Sequence, residues 1–340
     1  MDKGIIKTGI LTFGKSGSAF HAPFLEAHSG FELKAIVERT NKKAEEKYPE
    51  IISYDSVDEL FKDESIDMVV VNSPDHLHFD HARSAILTGK HVLLEKPATI
   101  LSSEIRELYD LADANSRHLM LYQNRRYDTD FLTVKNVLES GRLGTLKEAH
   151  FRYDFNLTAD QIGKMPTPDK KGGDIVYGLG PHILDQIISL FGIPESSYKT
   201  TSKVRNSDII DFFSYIFKFP NELTVFASSN LSTADQEPAF KLRGANGSFI
   251  KKRSDIQEQQ LIEGLSPLDA SYGVENKSQG IIVTLDDQGN HNEEFVTTSK
   301  STYMKLFDDV YDQIMYSKNY PVKKEEVIYQ IELLERENDF

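Results

Sequence analysis

The sequence predicts an α/β protein that begins with a doubly wound parallel sheet and continues into a second α/β domain. Three observations predict this. The first ~120 residues alternate strand and helix patterns, as a parallel sheet with crossover helices requires. After Tyr122 the segments alternate apolar and polar residues, which is typical of antiparallel strands with one wet face. A chain of 340 residues is also long for one core and suits two domains.

The amino-terminal elements predict a Rossmann-type dinucleotide-binding domain over residues 1–122, with a sheet of about six strands. Helical spacing places Phe20, Phe24 and Ala27 on one face, and Gly89 is a suitable carboxyl-terminal cap. The predicted strands include 5–13, 31–37, 68–71, 91–94 and 118–122. The predicted helices are 19–27, 41–47, 56–61, 79–87 and 102–114.

Residues 123–340 are predicted to form a second α/β domain with a largely antiparallel sheet. The polar, Pro- and Gly-rich stretch 166–173 is a candidate lid, and the amphipathic segment 302–317 is expected to pack back on the first domain. The predicted helices are 130–140 and 180–190, and the predicted strands include 149–155, 212–219, 240–242 and 281–285.

Composition excludes several classes of protein. A net charge of -14 argues against sequence-independent binding to nucleic acid, which requires a basic face. The absence of cysteine excludes disulfides, thiolate catalysis and cysteine-bound metal. No apolar run approaches ~18 residues and the amino terminus leaves no room for a signal peptide, so we expect a cytoplasmic protein without a membrane span.

A charged pair stands where a buried strand should end. Residues 91–94 read as a strand covered on both faces, and Glu95, Lys96 and Pro97 follow it directly. The carboxyl ends of the strands are where open parallel sheets bind ligands, so the pair is a site candidate. The alternative is that Glu95 and Lys96 only neutralise each other in a loop.

The turn after the first strand resembles a phosphate-binding fingerprint. In the pattern Gly-x-Gly-x-x-Gly, Thr12 replaces the first glycine, whereas Gly14 and Gly17 keep the other two. A helix beginning there supplies N–H groups and a positive dipole end for a pyrophosphate. The alternative is an ordinary strand-to-helix turn. The predicted cofactor contacts are Phe13, Gly14, Lys15, Ser16 and Gly17.

An acidic residue in the expected place bears on the choice of cofactor. Glu38 lies 21 residues after Gly17, where a carboxylate can accept hydrogen bonds from the ribose diol of NAD. Arg39, Lys42 and Lys43 follow and would hold the 2′-phosphate of NADP if Glu38 turned away. These residues slightly favour NAD.

An ordered series of motifs runs along the chain, in segments 13–17, 20–23, 72–78, 95–97, 124–127, 141–144, 173–174 and 178–185. With these motifs the chain resembles the Gfo/Idh/MocA oxidoreductases over nearly its whole length. Two of the segments, 20–23 and 124–126, look most like a branch that contains NADP-dependent scyllo-inositol dehydrogenases, which leaves NAD and NADP both open.

The resemblance implies a hydride transfer between nicotinamide and a hydroxyl-bearing carbon of a sugar, polyol or cyclitol. It implies that His182 exchanges the hydroxyl proton, and that Lys96 stabilises the reacting oxygen. For His182 the alternative is an ordinary core or surface histidine. The resemblance also implies that residues 123–340 are the substrate-binding and dimerisation domain, with an open sheet through which a homodimer or homotetramer forms. It implies that Pro74 and His76 or His78 line the nicotinamide and its ribose, and that Glu95 orients Lys96 or that ribose. Ser73 and Lys96 are also predicted cofactor contacts.

One departure from the family concerns the residue four positions before His182. Many members carry aspartate there, but this chain has Gly178. Asp185 is the main substitute for the missing carboxylate, and Asp174 and Tyr177 are weaker ones.

Two further expectations concern side chains near the site. Asn124 and Arg126 either contact substrate or cofactor or form a salt bridge at the domain junction. The spacing of His76, His78 and His81 invites a metal site, but their position after a strand of the cofactor sheet favours cofactor contacts, so no metal is predicted.

Two other functions stay open. One is a regulator of the same fold that senses NAD or NADP without turnover, which Gly178 keeps plausible. The other is redox-assisted glycoside cleavage with recycling of the cofactor.

Overall fold

The computed structural model describes residues 4–165, 172–203, 209–275, 280–286, 288–298 and 300–339. The described chain divides into two compact units. Unit 1 comprises residues 1–124, 257–272 and 302–331, and unit 2 comprises 125–256, 273–301 and 332–340.

Unit 1 is built on a parallel six-stranded sheet in the order β3-β2-β1-β4-β5-β6 among the described residues. This is the strand order of a dinucleotide-binding fold, and its direction reverses between β1 and β4. Its strands are β1 (Ile6–Ile10), β2 (Phe31–Val37), β3 (Ile52–Tyr54), β4 (Met68–Val71), β5 (His91–Leu94) and β6 (Leu119–Leu121). Its helices begin with α1 (Ala22–Ala27), α2 (Lys43–Lys47), α3 (Val57–Lys62), α4 (His78–Leu87) and α5 (Ser102–Ala114).

The central strands β4 and β5 are buried on both faces, as their unbroken apolar runs predict. The predicted bounds of β2, β4 and α5 agree with the structure. The first helix differs, because a π-helical turn, Ser16–His21, precedes α1. Such wide turns are rare and often occur at functional sites.

Two later segments return to unit 1. The helix α10 (Met304–Tyr316) packs there as its amphipathic spacing predicts, with the Phe307 ring stacked on Phe24 at 5.1 Å and edge-on to Phe31 at 6.3 Å. Most of α9 (Ile256–Ile262) and of α11 (Lys324–Glu335) also belongs to unit 1. The predicted boundary after residue 122 places all of these segments in the second domain. For α10, aromatic burial against α1 and β2 accounts for the difference.

Unit 2 is built on a mostly antiparallel eight-stranded sheet in the order β14-β13-β12-β11-β7-β10-β9-β8. The predicted fold class is thus confirmed in both units. The helices of unit 2 are α6 (Thr129–Glu139), α7 (Ala159–Gly163) and α8 (Ile175–Phe191). Its strands are β7 (Leu146–Arg152), β8 (Ser196–Ser202), β9 (Phe212–Lys218), β10 (Thr224–Asn230), β11 (Phe240–Gly244), β12 (Gly247–Lys251), β13 (Gly280–Leu285) and β14 (His291–Val296).

Helix α8 packs on β7, β9 and β10 and covers one face of this sheet. It begins five residues earlier than the predicted 180–190, because Asp174 accepts hydrogen bonds from the N–H groups of Val176 and Tyr177 and caps it. Most of the candidate lid at 166–173 lies outside the described residues. Within the described ranges, no helix is long and apolar enough to cross a membrane.

Candidate active site

The turn after β1 is tied to the end of β4 by reciprocal hydrogen bonds. The Thr12 N–H donates to Asn72 Oδ1 at 3.0 Å, and Asn72 Nδ2 donates back to the Thr12 carbonyl at 3.0 Å. The Thr12 hydroxyl also donates to the Asn72 carbonyl oxygen at 3.1 Å. The threonine that replaces the first fingerprint glycine therefore fastens the turn to the strand beside the point of reversal.

The two remaining fingerprint glycines face different surroundings. A Cβ atom on Gly17 would lie 2.0 Å from the Thr12 carbonyl oxygen, so only glycine fits this contact between helix and strand. A Cβ atom on Gly14 would meet no described heavy atom within 4 Å. The backbone at Gly14 is thus open to the close approach of a ligand, as the fingerprint predicts.

A cavity of about 500 Å³ lies at the carboxyl ends of β1, β2 and β4. This is the crevice in which open α/β sheets bind nucleotides. Five predicted cofactor contacts line it, namely Phe13, Glu38, Arg39, Ser73 and Pro74. The other lining residues are Leu11, Thr12, Val37, Thr40, Asn41, Lys43, Asp55, Ser56, Val57, Leu77 and His81.

Glu38 uses both carboxylate oxygens within the fold. Oε1 accepts the N–H of Lys43 and Oε2 accepts the N–H of Ala44, each at 3.0 Å, so the side chain caps α2. Glu38 is only 8% exposed. Nearby, Lys42 Nζ donates to Asp55 Oδ1 at 2.6 Å, whereas Arg39 is exposed at the cavity wall. The sequence predicts that these residues lie near the cofactor, but it does not predict where the carboxylate of Glu38 points.

The three histidines after β4 occupy different environments. His78 is buried, with Nδ1 2.7 Å from the Pro97 carbonyl oxygen and Nε2 2.8 Å from that of Ser73. Both ring nitrogens therefore hold two segments of the fold together, although sequence analysis places His78 among the cofactor contacts. His76 is exposed.

His81, absent from the predicted contacts, lines the cavity, with Nδ1 2.9 Å from the Ser73 hydroxyl. Burial lowers its pKa, and the charge of His78 adds to that effect. Within the described residues, no group of three or more histidine, aspartate or glutamate side chains could hold a metal ion.

Glu95 and Lys96 lie at the carboxyl end of β5, as predicted. Glu95 Oε1 accepts the Ser16 hydroxyl at 2.8 Å and lies 2.9 Å from His21 Nε2. Its Oε2 accepts the backbone N–H of Lys96 at 3.1 Å. Burial raises the pKa of Glu95, but the hydrogen bond and charge of His21, then Lys96 and Ser16, outweigh it and hold the pKa at about 2. Glu95 is therefore ionised beside Lys96 at neutral pH.

The residues of unit 1 fit a dinucleotide. The glycine at 17 permits the close contact between helix and strand, the backbone at Gly14 is open, and the cavity continues to the residues after β2, where an adenosine ribose would lie. Lys15 does not line this cavity, because its ammonium donates to Glu258 at 2.9 Å. Bound there, a nicotinamide dinucleotide would supply a carbon that accepts or donates hydride.

In unit 2, Arg126 and Asp185 form a bidentate ion pair. Arg126 Nε donates to Asp185 Oδ2 at 2.8 Å and Nη2 donates to Oδ1 at 2.7 Å. The two side chains are 10% and 5% exposed. Of the two roles that the sequence leaves open for Arg126, the structure shows a salt bridge, here within unit 2. Each oxygen of Asp185 accepts one hydrogen bond in this pair, and its role as a substitute for the missing carboxylate stays a prediction.

His182 lies in the middle of α8 and is largely buried, at 8% exposure. Gly178 precedes it by one turn on the same helix face. A Cβ atom at Gly178 would meet no described heavy atom within 4 Å, so the helix borders open space there. Asp174, the weaker substitute, is used as the cap of α8, and Asn124 is buried in a short 3₁₀ turn before α6.

Comparisons with known proteins agree with this arrangement. A family model described as "Oxidoreductase family, NAD-binding Rossmann fold" matches residues 6–123, and the "GFO/IDH/MocA C-terminal domain" matches 131–250. An uncharacterized oxidoreductase of Schizosaccharomyces pombe, C115.03, is 36% identical over 97% of this chain and 95% of its own length.

Two further relatives cover almost the whole chain. The scyllo-inositol 2-dehydrogenase (NADP(+)) IolW of Bacillus subtilis is 30% identical over 97% of this chain and 92% of its own length. The structure of the YPO2259 putative oxidoreductase of Yersinia pestis superposes with a TM-score of 0.90 at 31% identity, covering 98% of this chain and 93% of that one.

Proposed function

Because the chain belongs to the Gfo/Idh/MocA oxidoreductase family, we propose that it transfers hydride between a nicotinamide cofactor and a hydroxyl-bearing carbon of a sugar, polyol or cyclitol. The observation that carries the proposal is the pair Glu95 and Lys96. It lies on the same edge of the sheet as the dinucleotide-sized cavity, with Glu95 held ionised. The name of the relative IolW supports a cyclitol among the candidates.

Two side chains carry the proton chemistry in this proposal. In the direction of oxidation, His182 takes the proton from the substrate hydroxyl, and Lys96 donates a hydrogen bond to the oxygen as it gains negative charge. In reduction, the same groups act in reverse. General acid–base catalysis typically contributes 10²- to 10⁴-fold, so we expect His182→Ala and Lys96→Ala each to lower kcat by about that factor with cofactor affinity largely retained.

The cofactor proposed is NADP rather than NAD. Glu38 is directed into the cap of α2, so each carboxylate oxygen already accepts a backbone N–H and has less capacity left for a ribose diol. Arg39, exposed at the same cavity, is placed to pair with a phosphate. This choice departs from the slight preference for NAD that the position of Glu38 alone predicts.

Fluorescence titration with NADPH and NADH tests the choice. A charge-assisted hydrogen bond contributes about 1.5–3 kcal/mol, so Arg39→Ala should weaken NADPH binding by about 10- to 100-fold and change NADH binding by less than about twofold. Lys42→Ala is the matched control, since Lys42 is paired with Asp55. Equal affinity for both cofactors in the unmodified protein would contradict the proposal.

A screen of sugars and inositols by nicotinamide absorbance tests turnover. The second candidate, a regulator that binds the cofactor without turnover, is favoured by Gly178 in place of the family's aspartate. Tight NADPH binding with no oxidation or reduction across the screen would support the regulator and contradict the enzyme.

The open face of the unit 2 sheet supports a homodimer as the partner arrangement. Helix α8 covers the opposite face, whereas strand pairing aligns one continuous row of exposed and half-exposed side chains across all eight strands of this face. A mostly apolar row of this length suits a second copy of the chain. The row is Tyr198, Ile216, Phe226, His150, Lys241, Ile250, Ile281 and Phe295.

Light scattering coupled to gel filtration tests this arrangement. Ile216→Asp should convert the dimer to a monomer, because it places a charge within the row. Leu268→Asp is the control, since Leu268 is an exposed apolar residue of unit 1. A monomer at every concentration in the unmodified protein would contradict the proposal.

A further inference from the structure

His21 is a buried histidine to which the proposed reaction gives no role. It ends the π-helical turn Ser16–His21, and its side chain has no exposed surface. The ring packs on Tyr122 at 4.4 Å and edge-on to Phe307 at 6.4 Å. Its Nε2 lies 2.9 Å from Glu95 Oε1. The aromatic packing fixes the ring, so His21 presents one nitrogen to Glu95 in a defined direction.

The same carboxylate oxygen receives a second donor from the other end of the same turn, the Ser16 hydroxyl. Glu95 Oε2 accepts the backbone N–H of Lys96. Glu95 is thus held by the phosphate turn on one oxygen and by the backbone of the catalytic lysine on the other. A carboxylate with this number of donors has a fixed orientation and a charge that is partly neutralised.

We propose that His21 is a positioning residue for Lys96: it fixes Glu95 and withdraws part of the carboxylate's negative charge, so that the ammonium of Lys96 is less stabilised by Glu95 and is a stronger hydrogen-bond donor to the reacting oxygen. The proposal rests on the proposed function for the role of Lys96 in catalysis. The coupling itself, from His21 through Glu95 to Lys96, is a property of the cofactor-free protein.

Other ionisable groups share this cluster. Burial raises the pKa of Asp75, and the charges of His78, Lys96 and Glu95 also act on it. The cluster therefore contains His21, Asp75, His78, Glu95 and Lys96. A shift in the pH midpoint of Lys96 is therefore attributed to His21 acting through Glu95 only under one condition. A variant that removes the charge of Glu95 must shift that midpoint in the opposite direction.

Amine labelling of the cofactor-free protein at several pH values provides the test. The extent of modification of Lys96 is read by mass spectrometry of its peptide, which gives the pH midpoint of its reactivity. His21→Phe keeps an aromatic ring but removes the donor, so the charge of Glu95 is less compensated and the midpoint should rise by about half a pH unit or more. Glu95→Gln removes the negative charge and should lower the midpoint.

His28→Phe is the matched control. His28 is also a histidine of unit 1 that pairs with an acid, Asp308, at 3.2 Å and packs on the aromatic rings of Phe31 and Tyr311. His28→Phe should leave the pH midpoint of Lys96 reactivity unchanged. His21→Gln is the second variant, in case His21→Phe does not fold. His21→Gln keeps an N–H donor and should raise the midpoint by less.

Kinetics and binding complete the test. Once a substrate is found, His21→Phe should lower kcat by about tenfold while the Kd for NADPH stays within about twofold. An unchanged Lys96 midpoint in every folded variant of His21 would overturn the proposal. A shifted midpoint in a protein that turns over no substrate would support the coupling and count against the proposed function only.

Discussion

Two glycines of α8 provide the sharpest test of how unit 2 is packed. Glycine in a helix interior costs about 0.5–1 kcal/mol relative to alanine. At Gly178 the added Cβ would meet no described heavy atom within 4 Å, so nothing opposes the gain in helix propensity. We therefore expect Gly178→Ala to raise the free energy of unfolding by about 0.5–1 kcal/mol and the melting temperature by about 1–4 °C.

Gly180→Ala is the matched control in the same helix. There the added Cβ would lie 2.8 Å from Leu334 Cδ2, and Leu334 is only 1% exposed. Overpacking of this kind costs about 1–3 kcal/mol and cancels the gain in propensity. The free energy of unfolding of Gly180→Ala should therefore lie at least about 1 kcal/mol below that of Gly178→Ala.

Urea unfolding followed by circular dichroism measures both variants, since the chain has no tryptophan to report on the core. The same preparations are then assayed with substrate. If the open space at Gly178 holds part of the substrate, the more stable variant has a lower kcat/KM. A Gly178→Ala protein that unfolds at lower urea than the unmodified protein would refute the reasoning on packing, and unchanged kcat/KM would refute the role of that space in substrate binding.

Two further predictions concern charge. Burial first, then the charges of His118 and Arg117, lower the pKa of His91 from 6.5 to about 4, so the unfolded chain binds more protons and stability falls as pH drops from 6.5 to 4. Because the His91 ring is partly exposed, we expect the free energy of unfolding to fall by about 1–2 kcal/mol over this range. His91→Asn should reduce that fall, as measured by urea titrations at pH 4.5 and 7. Arg126→Ala leaves Asp185 buried without its bidentate partner and should cost about 3–5 kcal/mol in the same assay, whereas Arg126→Met combined with Asp185→Leu should recover most of it.

The sheet of unit 1 could be predicted from the sequence because its signals are local. Unbroken apolar runs such as β4 and β5 identify buried parallel strands wherever they pack. The return of α10 to unit 1 depends on contacts between Phe307 and Phe24, which are 283 residues apart in the chain. An amphipathic pattern predicts that α10 is covered on one face, but fixing the domain boundary requires knowing which surface covers it.

In the candidate site as well, the sequence predicts where residues lie but not where their side chains point. The spacing from Gly17 places Glu38 at the end of β2, but only the structure shows that its oxygens cap α2. Sequence analysis also leaves Arg126 undecided and gives His21 no role, since an ion pair or a hydrogen bond depends on side-chain orientation. Spacing in the sequence predicts where a residue lies in the fold. Its hydrogen-bond and ion-pair partners decide what the side chain does there.

The charges at the cofactor edge of unit 1 follow from these partners. The sequence predicts two acids as cofactor contacts, Glu38 and Glu95. The carboxylate oxygens of both lie within hydrogen-bond distance of donors in the fold itself. Arg39 remains exposed at the cavity and Lys96 lies at the end of β5. In a chain with a formal net charge of -14, the cavity at this edge is lined by the cations Arg39 and Lys43 as well as by the acids Glu38 and Asp55, and Asp55 is paired with Lys42. Arg39 is placed there to pair with a phosphate, so neutralising Arg39 should weaken NADPH binding more at low salt than at high salt.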